Sequence, residues 1–213
     1  MTKRYFATAR TEIEPHLPVR VTRMLDLGCG EGATTAFVKA KRDVQWAGGI
    51  EIMPDAGRAA EAVCDRVWVG NIETMGPDDE IAPGSLDLIL CLDVLEHLAD
   101  PWSVVQRLSP LLAPGGRLIV SVPNIRNWKF IWRLLTRADF NYTKAGLLDR
   151  THLRFFVRHT AAALATSGGL TLVSAVNAHP WPISDGRGIL STLTFGRLDD
   201  LMIKQFLVVA EAR

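Results

Sequence analysis

Cysteine is scarce. Cys29, Cys64 and Cys91 are odd in number, widely separated and form no Cys-x-x-Cys pair, so neither a disulfide framework nor a zinc site is indicated. Charge of either sign is not in excess: a formal net charge of +1 gives no whole-molecule reason to expect DNA, an acidic substrate or a membrane surface. No stretch approaches ~18 uninterrupted apolar residues, the length of a spanning helix. The opening Met1-Thr2-Lys3-Arg4-Tyr5-Phe6 lacks the apolar run and small-residue cleavage site of a secretory signal. These absences point to a soluble, cytoplasmic protein. No repeat or low-complexity tract occurs. What is present, 213 residues with 48% hydrophobic side chains, suffices for one domain with a full core, and residues 1–213 are read as a single domain.

The order of apolar runs and turns predicts an alternating architecture. Residues 23–27 read as a buried strand entering Gly28-Cys29-Gly30-Glu31-Gly32, with a helix over 33–40, a strand over 44–51, a helix over 55–63 and a strand over 66–69. Leu86 to Leu92 is nearly continuously apolar, as a central parallel strand covered on both faces would be. A helix over 102–112 and a fifth strand over 117–122 follow. Residues 124–157 then interrupt the alternation with an aromatic and basic insertion, before a helix over 160–167, a strand over 170–177, a Pro/Gly loop and a last strand over 201–210. The expected fold class is therefore α/β: a doubly wound, Rossmann-like sheet of seven mostly parallel strands. Ligands belong at the strand carboxyl ends, near the reversal of strand order.

The glycine turn is the first chemical signal. Glycine lets a backbone approach a ligand closely, and the following helix N-terminus adds partial positive charge. Gly28, Gly30 and Ala33 satisfy the G-x-G-x-x-G/A pattern of dinucleotide sites, so a nicotinamide or flavin enzyme has to be weighed. Asp26 opposes it, because a carboxylate two residues before the first glycine repels a pyrophosphate but suits a ligand carrying an ammonium and a sulfonium group. Glu51, 23 positions after Gly28, can accept hydrogen bonds from two ribose hydroxyls and would exclude a 2′-phosphate.

Leu25-Asp26-Leu27-Gly28-Cys29-Gly30-Glu31-Gly32, Glu51-Ile52, Gly70-Asn71-Ile72, Cys91-Leu92-Asp93-Val94-Leu95-Glu96-His97-Leu98 and Leu112-Ala113-Pro114-Gly115-Gly116 occur in that order. With them the chain resembles class I S-adenosylmethionine-dependent methyltransferases over nearly its whole length. Through Leu148-Asp149-Arg150-Thr151-His152-Leu153-Arg154-Phe155-Phe156 it is most similar to the branch holding ubiquinone-pathway O-methyltransferases and methyltransferases of bacterial cell-surface polysaccharides. The resemblance implies S-adenosylmethionine as cofactor. It places Asp26, Gly28, Cys29 and Gly30 around the methionine moiety, Glu51 and Ile52 at the ribose, Asn71 and Ile72 near the adenine, and the Leu92 backbone at the amino-acid end. Tyr5 and Arg10 would reach the cofactor carboxylate. Asn71 departs from the aspartate of many relatives, though an amide oxygen still accepts the adenine amino group's hydrogen bond.

Methyl transfer from a sulfonium is an in-line displacement with its leaving group attached, so the enzyme mainly aligns the partners in a dry pocket, and no metal is called for. A base helps chiefly an alcohol acceptor. His152, beside Asp149, is the expected base with Asp149 as its orienting partner, unless the pair only pins the insertion to the sheet. His97 either lines the cofactor pocket or caps a helix, and Glu96 is read as an ion-pairing residue at a helix start in preference to a site residue. The acceptor expected is a small molecule or glycan intermediate, with oxygen or nitrogen left open. An RNA or protein methyltransferase and a non-catalytic S-adenosylmethionine-binding regulator are the rivals. Against a nucleic-acid enzyme, Leu92-Asp93-Val94-Leu95 stands where an Asn/Asp-Pro-Pro-aromatic motif would be.

Residues 124–158 hold eight basic side chains (Arg126, Lys129, Arg133, Arg137, Lys144, Arg150, Arg154, Arg158) against two acidic ones, Asp139 and Asp149. Within them, residues 125–137 alternate as a basic amphipathic helix, with Trp128, Ile131, Trp132, Leu134 and Leu135 on the apolar side. One reading is a lid whose apolar face covers the acceptor pocket; the other is a grip on an anionic acceptor or a peripheral contact with an anionic bilayer.

Overall fold

The structure is a computed structural model that describes residues 8–181, 184–196 and 198–213. Its seven strands are β1 (Arg23–Leu27), β2 (Trp46–Glu51), β3 (Arg66–Val69), β4 (Leu86–Leu92), β5 (Leu112–Pro123), β6 (Thr171–Asn177) and β7 (Gln205–Glu211), arranged β3-β2-β1-β4-β5-β7-β6. The first five are parallel, and β7 lies antiparallel between β5 and β6. Because β1 pairs with both β2 and β4, strand order reverses between β1 and β4, which opens a crevice at their carboxyl ends.

The apolar runs make this sheet because alternate residues serve opposite faces. Leu25 and Leu27 of β1, Ile89 and Cys91 of β4, and Leu118 and Val120 of β5 belong to one buried cluster, while Met24, Leu88, Leu90 and Ile119 belong to another across the sheet. Helices cover both faces: α1 (Ala33–Lys41), α2 (Pro54–Ala60), α3 (Pro101–Leu108), α4 (Trp128–Arg137), α5 (Arg158–Ala165), α6 (Gly186–Leu193) and the short α7 (Asp199–Met202). No helix among the described residues is long and apolar enough to cross a membrane.

Several expected bounds change, among them β5, which begins at Leu112 rather than 117 where the helix was expected to run on to 112. The Pro/Gly loop before the last strand contains α6, which starts because the Asp185 carboxylate accepts the Arg187 N–H at 2.8 Å. The last strand begins at Gln205 rather than 201, since residues 199–202 form the turn of α7. Helix α5 begins at Arg158 rather than 160, with the Thr160 hydroxyl accepting the Val157 N–H at 3.0 Å.

The insertion is tied to the sheet by polar groups at its root. Asn124, fully buried, donates to the carbonyls of Asp200 and Ile203, Asn127 donates to Ile203, and the Ile125 N–H meets the Phe156 carbonyl at 2.9 Å. Beyond that root, α4 buries only Phe130.

Candidate active site

A cavity of about 710 Å³ occupies the crevice at the carboxyl ends of β1, β2, β3 and β4. Arg10, Asp26, Gly28, Cys29, Gly30, Glu51, Ile52, Asn71, Ile72, Leu92 and His97 all line it. The sheet thus brings together every cofactor-side residue singled out from the sequence except Tyr5, which lies outside the described residues.

The turn after β1 is closed upon itself. The Gly28 and Cys29 N–H groups both donate to the Ile50 carbonyl, at 2.7 and 3.1 Å, the Gly30 N–H donates to the Glu51 carboxylate at 2.9 Å, and the Gly32 N–H to Cys29 O at 2.9 Å. A pyrophosphate site needs such amides free to point at the anion. Here four of the five in the turn are already used. Gly28 has φ +68°, and a Cβ there would stand 2.4 Å from Val94 Cγ2, so the β1 turn and the loop after β4 pack too closely for any side chain.

Acidic groups line the wall. Asp26, Glu51, Glu73 and Asp93 contribute carboxyls, and Arg10 is the one lysine or arginine among the described lining residues. Asp26 is 2% exposed and, among the described residues, accepts a single side-chain hydrogen bond, from Thr35 Oγ1 at 2.9 Å. Burial pushes its carboxyl up to about 7; the Thr35 bond opposes this and the neighbouring Glu51 charge adds to it. Glu51, 4% exposed at the end of β2, also accepts the Met53 N–H at 2.9 Å, which aims its carboxylate along the rim. Such a wall suits a cationic ligand with a ribose and disfavours a polyanion.

At the end of β4, Asp93 takes a left-handed conformation, φ +59°. Arg10 Nη1, Ser121 Oγ at 3.0 Å and Gln205 Nε2 all donate to its carboxylate, and Arg10 Nε donates to Glu12 at 2.5 Å. Arg10 therefore borders the cavity with its guanidinium committed to this network. Asp93 stood within a sequence motif without a role, and Gln205, on the last strand, carried no sequence signal at all.

Next to the cavity two imidazoles meet edge to face, His97 and His152, with ring centroids 4.7 Å apart. His97 Nδ1 lies 3.1 Å from the Thr151 carbonyl and His152 Nδ1 lies 3.0 Å from the Leu147 carbonyl. A carbonyl only accepts, so both rings carry their proton on Nδ1. The expected orienting partner of His152 is thus replaced: Leu147, not Asp149, holds its Nδ1. The Asp149 carboxylate instead accepts the Thr151 N–H and hydroxyl, at 2.9 and 2.8 Å, and so shapes the turn that presents His152. Glu96 is likewise corrected. Among the described residues it makes no ion pair and neither carboxylate oxygen has a hydrogen-bond partner; it is 1% exposed, and burial raises its carboxyl well above the ordinary range, with the Asp93 charge adding. No residue from 124 to 150 lines this cofactor-side cavity, and Trp132 and Leu135 of α4 are 64% and 77% exposed.

Compared with known families, residues 1–175 match the family described as "Methyltransferase domain". The chain belongs to that family. The methyltransferase uses S-adenosylmethionine, and the amide-closed turn, the Glu51 rim and the acidic wall are a donor set that fits this cofactor. Among its relatives, a ubiquinone biosynthesis O-methyltransferase of Chromobacterium violaceum is 30% identical over 171 residues, covering 74% of this chain and 72% of that protein. One of Cupriavidus pinatubonensis is 29% identical over 163 residues, covering 70% of this chain and 63% of that protein, so the chain spans less than two thirds of this relative's length. The fold recurs in a SAM-dependent methyltransferase from Archaeoglobus fulgidus (TM-score 0.65, 15% identity, 95% of this chain and 92% of the other). It recurs also in a putative one from Listeria monocytogenes (TM-score 0.64, 17% identity, 98% of each).

Proposed function

We propose that the chain is a single methyltransferase domain that transfers a methyl group from S-adenosylmethionine to a hydroxyl oxygen of a small-molecule or glycan-intermediate acceptor carrying an anionic or lipid group. The observation that carries the cofactor half is the self-satisfied glycine turn with Asp26 and Glu51 beside it. Bound there, S-adenosylmethionine supplies a methyl group already activated on a sulfonium. Asp26 favours the cationic end, Glu51 the ribose, and Asn71 and Ile72 the adenine. Oxygen rather than nitrogen as acceptor follows from the relatives, which are named O-methyltransferases. His152 suits a hydroxyl, because an Nδ1–H fixed by Leu147 leaves Nε2 as the proton acceptor. Asp149 positions it through Thr151.

The acceptor's character rests on α4, whose exposed Trp128, Trp132 and Leu135 stand among Arg126, Lys129 and Arg137. Tryptophan, leucine and flanking cations are the composition of a helix lying in the interface of an anionic bilayer. Calorimetric titration tests the cofactor half: one S-adenosylmethionine bound per chain and no NAD is expected, and NAD binding without S-adenosylmethionine binding refutes it. For the base, His152→Ala is expected to lower turnover about 10²-fold or more with cofactor affinity unchanged. A folded variant turning over at the wild-type rate would remove that role.

A further inference from the structure

Two of the three free cysteines, far apart in the sequence, meet at the wall of the cavity. Cys29 lies in the glycine turn after β1 and lines the cavity, and Cys64 lies between α2 and β3. Both are buried, and with Ala60 they form a small cluster apart from the two main cores. Their sulfurs converge on Gly49 of β2, where a Cβ would stand 2.7 Å from Cys29 Sγ and 3.2 Å from Cys64 Sγ. Any side chain at that position would drive into the sulfurs, so glycine leaves the space in which they meet. The Cys29 S–H donates to the Cys64 sulfur. This bond, aided by Thr35 and the Lys39 ammonium, holds the Cys64 thiol below its ordinary range against burial and the Asp26 charge. The two segments also touch beside the pair, where Val63 Cβ lies 3.1 Å from the Cβ position of Gly32. Lys39 and Asp65 anchor the Cys64 segment: Lys39 Nζ donates to the Val63 carbonyl, and the Asp65 carboxylate accepts the Ala47 N–H, each at 2.7 Å.

We propose that Cys29 and Cys64 are a modification site, a thiol pair that a peroxide converts to a disulfide, and that the disulfide weakens cofactor binding at the glycine turn. Hydrogen peroxide is small enough to enter a cavity of about 710 Å³ and reach the pair past Cys29. The Cys64 sulfur bonds to one peroxide oxygen as the O–O bond breaks; the departing hydroxide takes the thiol proton and leaves as water, and a sulfenic acid remains. The Cys29 sulfur then bonds to the Cys64 sulfur, the sulfur–oxygen bond breaks, and the second hydroxide leaves as water with the Cys29 proton. Two thiols lose two electrons, and the peroxide is reduced to two waters. Bonded sulfurs stand closer than two thiols in contact, so the anchored Cys64 segment draws Cys29 away from the cavity. The Gly28 and Cys29 amides are bonded to Ile50 and the Gly30 amide to Glu51, so this shift reaches the carboxylate on the rim. By linkage the effect is reciprocal: a ligand that prefers the reduced form tenfold lowers the reduction potential of the pair by about 30 mV and protects its thiols. The coupling rests on reading the cavity as the cofactor site, whereas the disulfide itself does not.

The test treats reduced protein with a few equivalents of hydrogen peroxide, counts thiols after unfolding, and reads linkages by mass spectrometry of a non-reduced digest. The thiol count is expected to fall from three to one, with a Cys29–Cys64 peptide lighter by two hydrogens, and dithiothreitol should restore all three. Affinity for S-adenosylhomocysteine, measured by calorimetry, is expected to fall about tenfold or more in oxidised wild type and to be unchanged by peroxide in Cys64→Ser. Circular dichroism checks that each form is folded, and Cys64→Ala serves if the serine variant does not fold. Cys91→Ala is expected to form the same linkage as wild type. Three thiols that persist, or a linkage that includes Cys91, overturns the site. Equal affinity in the oxidised and reduced forms overturns the coupling. Reduced protein that binds no S-adenosylhomocysteine while the disulfide still forms would instead refute the cofactor reading of the cavity and leave the modification site standing.

Discussion

Asp26→Asn separates what the buried carboxyl does for the fold from what it does for the ligand. The native carboxyl keeps its proton to about pH 7, whereas an unfolded aspartate releases it near 3.8. Between those values the native state binds more protons than the unfolded state, so stability is full below pH 4 and falls as pH rises towards 7. The interval corresponds to about 4 kcal/mol, an upper figure that local relaxation reduces. An amide of the same shape still accepts from Thr35 Oγ1 and has nothing to ionise. Urea unfolding of wild type and Asp26→Asn at pH 5 and pH 8 is therefore expected to show the variant gaining on wild type by about 1–2.5 kcal/mol at the higher pH, because only the part of the interval above pH 5 is sampled. Binding should move the other way: S-adenosylmethionine affinity falls about tenfold or more in the variant, while S-adenosylhomocysteine, which lacks the sulfonium charge, loses less. A variant no more stable than wild type at pH 8, or one that binds both ligands as wild type does, refutes the reasoning.

Two further outcomes follow from the geometry. Gly28→Ala adds a Cβ 2.4 Å from Val94 Cγ2 at φ +68°, and thermal unfolding should show a loss of more than about 1 kcal/mol that Val94→Ala only partly restores, since the backbone strain remains. Full recovery in the double variant would assign the whole cost to the clash. Replacing Arg126, Lys129 and Arg133 with glutamine should leave S-adenosylmethionine binding intact and weaken flotation with phosphatidylglycerol vesicles about 10²-fold at low salt, at about 1 kcal/mol per cation, and less at high salt. Wild type that does not float removes the membrane contact.

The sheet was legible because its strands are short apolar runs, nearly continuous where both faces are covered, with glycine at their ends, as at residues 23–28 and 84–92. The cofactor-side residues were legible for the same reason: each stands at a strand's carboxyl end, so reading the strands located Glu51, Asn71 and Leu92 together. Helix α6 was not, because Gly186 and Gly188 look like loop residues while the Asp185 cap that starts the helix acts through one hydrogen bond. Glu96 was misread since an acidic residue at a helix start usually faces solvent, whereas here its carboxyl is buried and its backbone carbonyl is paired with the distant Leu153 and Arg154. What α4 covers was not legible either. An amphipathic pattern specifies that a helix has an apolar face, not what covers that face.

The position of β7 has a kinetic consequence. Strand β6 pairs only with β7 and β7 pairs with β5, so residues 171–177 have no edge to join until residues 205–211 have threaded into the gap between them. During synthesis the five parallel strands can assemble first, with the edge of β5 bare and one wall of the crevice unfinished, because Gln205 at the head of β7 supplies a donor to Asp93. Non-local closure of this kind is slow relative to the local βαβ units and leaves an apolar edge exposed while it waits. Competence to bind therefore arrives last, with the strand most distant in sequence from the turn that begins the site.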